Sequence, residues 1–250
     1  MLPGRTGMKT GKLAAMLLLL LVGCQTSPQR HVRVETRIQL GLAYLSKGNM
    51  DAARRNLQRA LSQAPDDYRV QLAMARYQQQ TGDRSRAEHH YHRALAQAPS
   101  NGYVLNNYGA FLCGLGQYDA AQRQFSLARK DSANGLRADS VENSGYCFLN
   151  AGQQEKARQA LVDAVQTDPT KGLPMLAEAA RRLGKGRRSE SRLLLDVYQH
   201  NFPVSAESLW LEIRFAAQAK RPADVQHHGA QLAQIFPQSI QYQHFLANEY

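Results

Sequence analysis

Apolar residues between Asn101 and Lys130, NGYVLNNYGAFLCGLGQYDAAQRQFSLARK, return every three or four positions, stop, and then start again. Leu105, Tyr108, Gly109 and Leu112 share one face of a first predicted helix. Gly116 breaks the run, and from Gln117-Tyr118-Asp119 a second begins with Ala121, Phe125 and Ala128 on one face. Gly109 and Ala121 are small enough to let the two helices approach closely, while Tyr108 and Phe125 fill the space around them. A helix pair this short cannot bury its own apolar face, so it needs stacked neighbours of the same kind.

The pattern recurs along the chain. Ala53, Ala87 and Ala121 stand 34 residues apart, as do Leu57, Tyr91 and Phe125, then Ala60, Ala94 and Ala128. Gly48, Gly82 and Gly116 mark the turns, and Pro65 and Pro99 the ends. A step of 36 carries the register to Gly145, Gly152, Ala157, Leu161, Ala164 and Pro169, after which Pro203, Pro237 and Gly186 resume the spacing of 34. This spacing resembles the tetratricopeptide repeat, with its L-G-x2-Y, A-x3-F and closing Pro. The resemblance implies an all-α fold, a right-handed superhelical solenoid of six repeats starting near residues 34, 68, 102, 138, 172 and 206, with a C-terminal capping helix over 238–250. Repeat six departs from the pattern, with Ile213 where Gly is usual and Gly229 where Phe is usual.

Residues 1–23 stand outside this periodicity. Arg5, Lys9 and Lys12 precede an apolar run from Leu13 to Val22. A spanning helix needs ~20 apolar residues, so the run reads as a targeting peptide rather than a membrane span. Met8 is a second possible start, because the basic and apolar parts survive without the first seven residues. The segment closes Leu21-Val22-Gly23-Cys24, which resembles a bacterial lipobox. That resemblance implies a signal peptide over 1–23, acylation of Cys24 (palmitate among the chains), and an acylated tether over 24–33. Gln25 in place of Asp implies delivery to the outer membrane. One acyl chain holds only marginally, so stable anchoring takes more than one.

The formal charge is +11, of which Arg5, Lys9 and Lys12 contribute three. For an exported protein this balance favours acidic protein surfaces, lipid phosphates or cell-wall polymers over nucleic acid. The densest cationic stretch, Arg181, Arg182, Lys185, Arg187, Arg188 and Arg192, falls at the turn of repeat five and reads either as a solvated turn or as a docking patch. Cys113 and Cys147 occupy first helices of neighbouring repeats at positions that differ by two. An oxidising compartment would permit a disulfide, but that offset points the two thiols apart, so the expectation is two small buried or half-buried thiols, with pairing left open.

No catalytic constellation is present. His89, His90 and His92 lack the i, i+4 spacing of a helical metal pair, and no H-E-x-x-H, phosphate loop, G-x-S-x-G or C-x-x-C occurs. The chain therefore reads as no enzyme, with no metal and no cofactor beyond covalent lipid. Asp51, Asp83 and Asp119 fall at helix starts, where a carboxylate suits the dipole.

Stacked first helices line a concave groove, and the tetratricopeptide resemblance implies that positions 2, 5, 9 and 12 of each repeat face it. On that basis the candidate partner-binding residues are Ile38, Leu42, Leu45, Leu72 and Arg76, with Trp210 and Arg214 as a secondary surface. Three aliphatic side chains contribute roughly 5–9 kcal/mol, against an association cost of about 4–15 kcal/mol. A partner folding into the groove as an amphipathic helix would supply the rest. A carboxylate clamp is excluded, since Ile38 and Leu42 stand where its Lys and Asn belong.

The lipobox, the six repeats, Leu105-Asn106-Asn107-Tyr108-Gly109, the stretch Ser208–Arg214 and the ending with Pro237, Ser239, Tyr242 and Phe245 together resemble the type IV pilus biogenesis and stability lipoproteins, the PilF/PilW family of secretin pilotins. The resemblance implies an outer-membrane lipoprotein on the periplasmic face that binds secretin subunits and promotes their localisation and multimerisation. It leaves oligomeric state open, with a monomer as the working expectation. Two other classes stay open on the residues alone: a scaffold lipoprotein of outer-membrane protein assembly, and a cell-wall enzyme or its regulatory subunit. The basic turn at Arg181–Arg192 is not expected from the family.

Overall fold

A computed structural model describes Met1, residues 28–130 and residues 134–250, and among these residues every regular element is helical. The signal-peptide and lipobox readings, Cys24 included, lie outside the described residues.

Two compact units divide the chain at Pro65. The first holds a single antiparallel pair, α1 (Pro28–Ser46) and α2 (Met50–Gln63). The second holds five pairs and a cap: α3 (Tyr68–Gln80) with α4 (Arg84–Gln97), α5 (Gly102–Gly114) with α6 (Tyr118–Ala128), α7 (Asn134–Asn150) with α8 (Gln154–Thr167), α9 (Gly172–Gly184) with α10 (Arg188–Asn201), α11 (Ala206–Gln218) with α12 (Pro222–Ile235), and α13 (Ile240–Leu246). Within this second unit α5 and α6 both pack on α7, α8 packs on α10, and α13 packs on α11 and α12.

Local chemistry sets these boundaries. Side chains of Asn49, Asp67, Asp83 and Asn101 accept from the backbone N–H groups of Ala52, Arg69, Arg86 and Val104 at 2.9–3.1 Å, capping α2, α3, α4 and α5. Each such cap contributes ~1 kcal/mol. Ser205 and Ser208 form a reciprocal capping box on α11. Each turn inside a pair needs a residue in the left-handed region, and Gly116 supplies it at φ +78°. In repeat six Lys220 adopts the same conformation at φ +56°.

Four first helices begin where the repeat register places them, at residues 68, 102, 172 and 206. Two begin earlier. The described part of α1 begins at Pro28, inside the stretch expected to be a tether. α7 starts at Asn134 rather than near 138.

Inside each pair a small residue on the first helix faces a large one sixteen positions later on the second. A Cβ on Gly109 would sit 2.8 Å from the Phe125 ring, and one on Gly145 2.7 Å from Leu161. Repeat six inverts the sizes. Ile213 is large and fully buried, Gly229 is small, and the Phe245 ring of α13 lies where a Gly229 Cβ would be, at 2.0 Å. The capping helix thus fills from outside the pair the space that its own second helix leaves empty.

Cys113 and Cys147 form a disulfide with Cα atoms 5.8 Å apart, which overturns the expectation of thiols pointing apart. α5 and α7 run side by side in the same direction, and parallel neighbours meet through unlike faces. Asn143 donates to Asn106 Oδ1 at 3.1 Å, and Asn150 Nδ2 approaches Cys113 Sγ at 3.8 Å. Identical repeat positions would point the same way and miss each other. The offset of two positions is what brings the sulfurs together.

Candidate functional site

The groove positions do not behave alike. In α5, positions 5 and 12 are Asn106 and Cys113, both turned against α7 and both buried. Positions 2 and 9, Tyr103 and Ala110, stay exposed. α9 repeats this division, with Leu176 and Leu183 buried and Leu173 exposed. Burial at the same positions of α1 corrects the expected binding stripe. Ile38 and Leu45 stand at positions 5 and 12 and are only 4% and 3% exposed, so they belong to the core rather than to an open surface. Leu42, at position 9, is half-buried.

The apolar surface that α1 does leave open lies one step round the helix. Leu40 and Tyr44 are 40% and 37% exposed. Their counterparts one and two repeats later, Met74 and Gln78, then Tyr108 and Leu112, are all buried. Leu40 and Tyr44 fall outside positions 2, 5, 9 and 12 of repeat one, so the repeat-based reading did not single them out. Tyr108, the counterpart of Leu40, packs on Tyr91 and His92 of the preceding pair, and among the described residues no pair precedes α1.

In the second unit Leu72 is half-buried against the cluster of Tyr91, Tyr108 and Phe111, while Arg76 is exposed. Burial pushes the Tyr91 phenol up to about 12, with Arg76 pulling the other way. Its hydroxyl donates to Gln79 at 2.9 Å. Two acidic groove positions in α7 are occupied internally. Lys171 pairs with Asp139 and, at 3.2 Å, with Glu142. Burial works against the Lys171 ammonium, yet these hydrogen bonds raise its pKa above the ordinary lysine value.

The secondary surface divides as well. Trp210 is half-buried beneath the C-terminal segment, its ring 5.7 Å from that of His244 and 6.5 Å from that of Tyr250. It is therefore committed to the cap. Arg214 is half-buried beside it.

The basic turn proves to be an internal fastening. Arg182, 2% exposed, pairs with Glu178 at 2.6 Å and with Glu190, and lies 5.8 Å from the centre of the Tyr146 ring. Arg187 pairs with Glu190 at 2.7 Å and donates to Asn150 of α7 at 3.1 Å. Arg192 makes a two-pronged contact with Glu212 at 2.8 and 3.0 Å and stacks 4.0 Å from the Phe215 ring centre. Burial opposes ionisation of Glu178 and Glu212, but the arginine hydrogen bonds hold both below the usual carboxylate range. Three carboxylates thus spend most of the positive charge that looked free in the sequence.

Among the described residues no group of three or more His, Cys, Asp or Glu side chains is placed to hold a metal ion, and no helix is long and apolar enough to cross a membrane. What the molecule offers is surface.

Comparison with known proteins agrees with this architecture. Tetratricopeptide-repeat profiles match residues 44–89, 72–112 and 112–171. The type IV pilus assembly protein PilF of Pseudomonas aeruginosa is 31% identical over 250 residues, covering 94% of this chain and 98% of its own. A protein of Haemophilus influenzae is 33% identical over 143 residues, covering 57% of this chain and 80% of its own. The solved structure of Pseudomonas aeruginosa PilF superposes with a TM-score of 0.60 at 28% identity, covering 88% of this chain and 99% of that one. PilW, described as a widely conserved type IV pilus biogenesis factor, superposes with a TM-score of 0.60 at 23% identity over 85% of this chain and 98% of that one, which speaks to fold alone. With its helix pairs, its closing cap and a relative matched over nearly its whole length, this chain belongs to the PilF family of tetratricopeptide-repeat proteins of type IV pilus biogenesis.

Proposed function

We propose that the protein is a pilotin: a lipoprotein, anchored through Cys24 to the periplasmic face of the outer membrane, that captures secretin subunits and promotes their multimerisation. The observation that carries the reading is the uncovered Leu40–Tyr44 face of α1, apolar at positions that later repeats bury. A secretin segment folding as an amphipathic helix would lie there as α4 lies against Tyr108 of α5. Two partly exposed side chains contribute ~2–4 kcal/mol, less than an association cost of about 4–15 kcal/mol. Half-buried Leu42 and further contacts along the segment must supply the difference. Coupling is physical rather than catalytic, in that lipid decides where the protein sits and α1 decides what it holds.

The reading is tested by the double variant Leu40→Glu, Tyr44→Glu in cells. Because both side chains are exposed, the variant keeps its fold and its membrane fraction but loses secretin multimers. Multimers at the wild-type level would overturn the assignment. Cys24→Ser, in turn, moves the protein to the soluble periplasm and mislocalises the secretin, and recovery of that variant in the outer membrane would remove the anchor.

A further inference from the structure

Positive charge is unevenly spent in this molecule. Arg181, Arg182, Arg187 and Arg192 are paired with Glu178, Glu190 and Glu212, whereas residues 31–65 carry six Lys and Arg against two carboxylates. Of those two, Glu35 accepts from Gln39 at 2.7 Å, and Asp51 stands only 3.7 Å from Arg54 in a pair open to solvent on both sides. Such an exposed pair contributes little. Arg37 is engaged with Asn56 at 2.8 Å. Arg55 and Arg59, one turn apart on α2, are exposed and make no side-chain hydrogen bond or ion pair among the described residues. The opposite face of α2, with Ala53, Leu57 and Ala60, is fully buried, so the helix cannot turn these arginines inward.

Position along the chain selects the partner. If Cys24 bears lipid, three residues, and so four backbone steps, separate the anchor from Pro28, the first described residue of α1. Fully extended, such a link reaches at most ~14 Å. The N-terminal end of α1, and with it the C-terminal half of α2, is thereby tethered close to the headgroup layer, where electrostatic attraction is felt within ~8–10 Å. We infer that the Arg55–Arg59 face of α2 rests on a surface of anionic phospholipid headgroups and orients the first helix pair beside the membrane. This rests on the lipid-anchor reading for its geometry but not for its chemistry. Each arginine at an anionic surface strengthens association about five-fold.

The test uses the chain from Gln25 onward, which keeps α1 to α13 and carries no lipid. It is sedimented with vesicles of phosphatidylglycerol and phosphatidylcholine, and with vesicles of phosphatidylcholine alone. Wild type binds the anionic vesicles at low salt, and binding fades at high salt. Arg55→Gln with Arg59→Gln weakens that binding about thirty-fold, with helicity by circular dichroism unchanged. The charge-matched control Arg86→Gln with Arg221→Gln, exposed on the second unit, changes it less than two-fold. Equal loss in the control, equal binding to neutral vesicles, or no binding at all overturns the headgroup contact while leaving acylation of Cys24 standing. An acyl-free mass for membrane-extracted full chain would remove the anchor reading instead, whatever the vesicles show.

Discussion

Lys220 sits at φ +56°, in the turn where five earlier repeats place glycine. A side chain in that region costs ~1–2 kcal/mol, partly offset by the greater freedom a glycine adds to the unfolded chain. Lys220→Gly should therefore stabilise the protein by about 0.5–1 kcal/mol, read as a raised denaturant midpoint at constant slope. A second single-residue effect belongs to His90. Its Nδ1 donates to Gln71 Oε1 at 2.7 Å, and burial, then the positive charges of His89 and Arg93, push its pKa from 6.5 down to about 4. Between those values the unfolded chain takes up a proton that the folded chain refuses. Stability held by neutral His90 is thus complete above pH ~6.5 and is lost as pH falls towards ~4. His90→Gln should flatten the fall of the urea midpoint between pH 7 and 4.5 relative to wild type; an unchanged slope would exclude His90 as its source. Neither feature was legible beforehand. Lys220 carries no glycine to mark its turn, and burial of His90 beside Gln71 depends on a partner nineteen residues away.

Helix pairing was the most legible level, because a small residue and a large one recurring sixteen apart leave a mark in any sequence that stacks them. Even the aberrant repeat kept the logic, with Ile213 and Gly229 exchanging sizes and Phe245 occupying the gap. What sequence could not reveal at this scale was which charges face each other. Arg181 to Arg192 reads as a surplus, since Glu178 lies a turn upstream on α9 and Glu212 on another helix pair. Arg182 is the member to test, being buried with carboxylates on two sides. Arg182→Ala leaves Glu178 and Glu190 without their buried counter-charge and should cost about 3–5 kcal/mol. Arg181→Ala, at an exposed pair, should cost no more than ~1 kcal/mol. Equal effects of the two in thermal unfolding would mean that the network is not centred on Arg182.

At the scale of the whole molecule, the repeat count and the helix order could be read from spacing alone, but the binding face could not. Positions 5 and 12 were taken for groove, yet in α5 contact with α7 consumes them and in α1 they are buried, so Ile38 and Leu45 were misplaced while Leu42 and Arg76 kept some exposure. The disulfide escaped for the same reason, since its partners meet only through the stacking of α5 on α7. Closing a loop between residues 34 apart contributes roughly 4 kcal/mol through the unfolded chain. Cys113→Ser should lower stability by about that amount, and adding reductant to the variant should then change nothing further.

Three cysteines can close three different bridges, and this fold uses one. Cys113 and Cys147 come within reach only after two repeats have stacked, so until then a free thiol at Cys24 would compete for either. Esterifying or capping that thiol early leaves a single oxidative outcome. Lipid at Cys24 would then do more than fix an address: it would shield the maturing chain from scrambled cross-links.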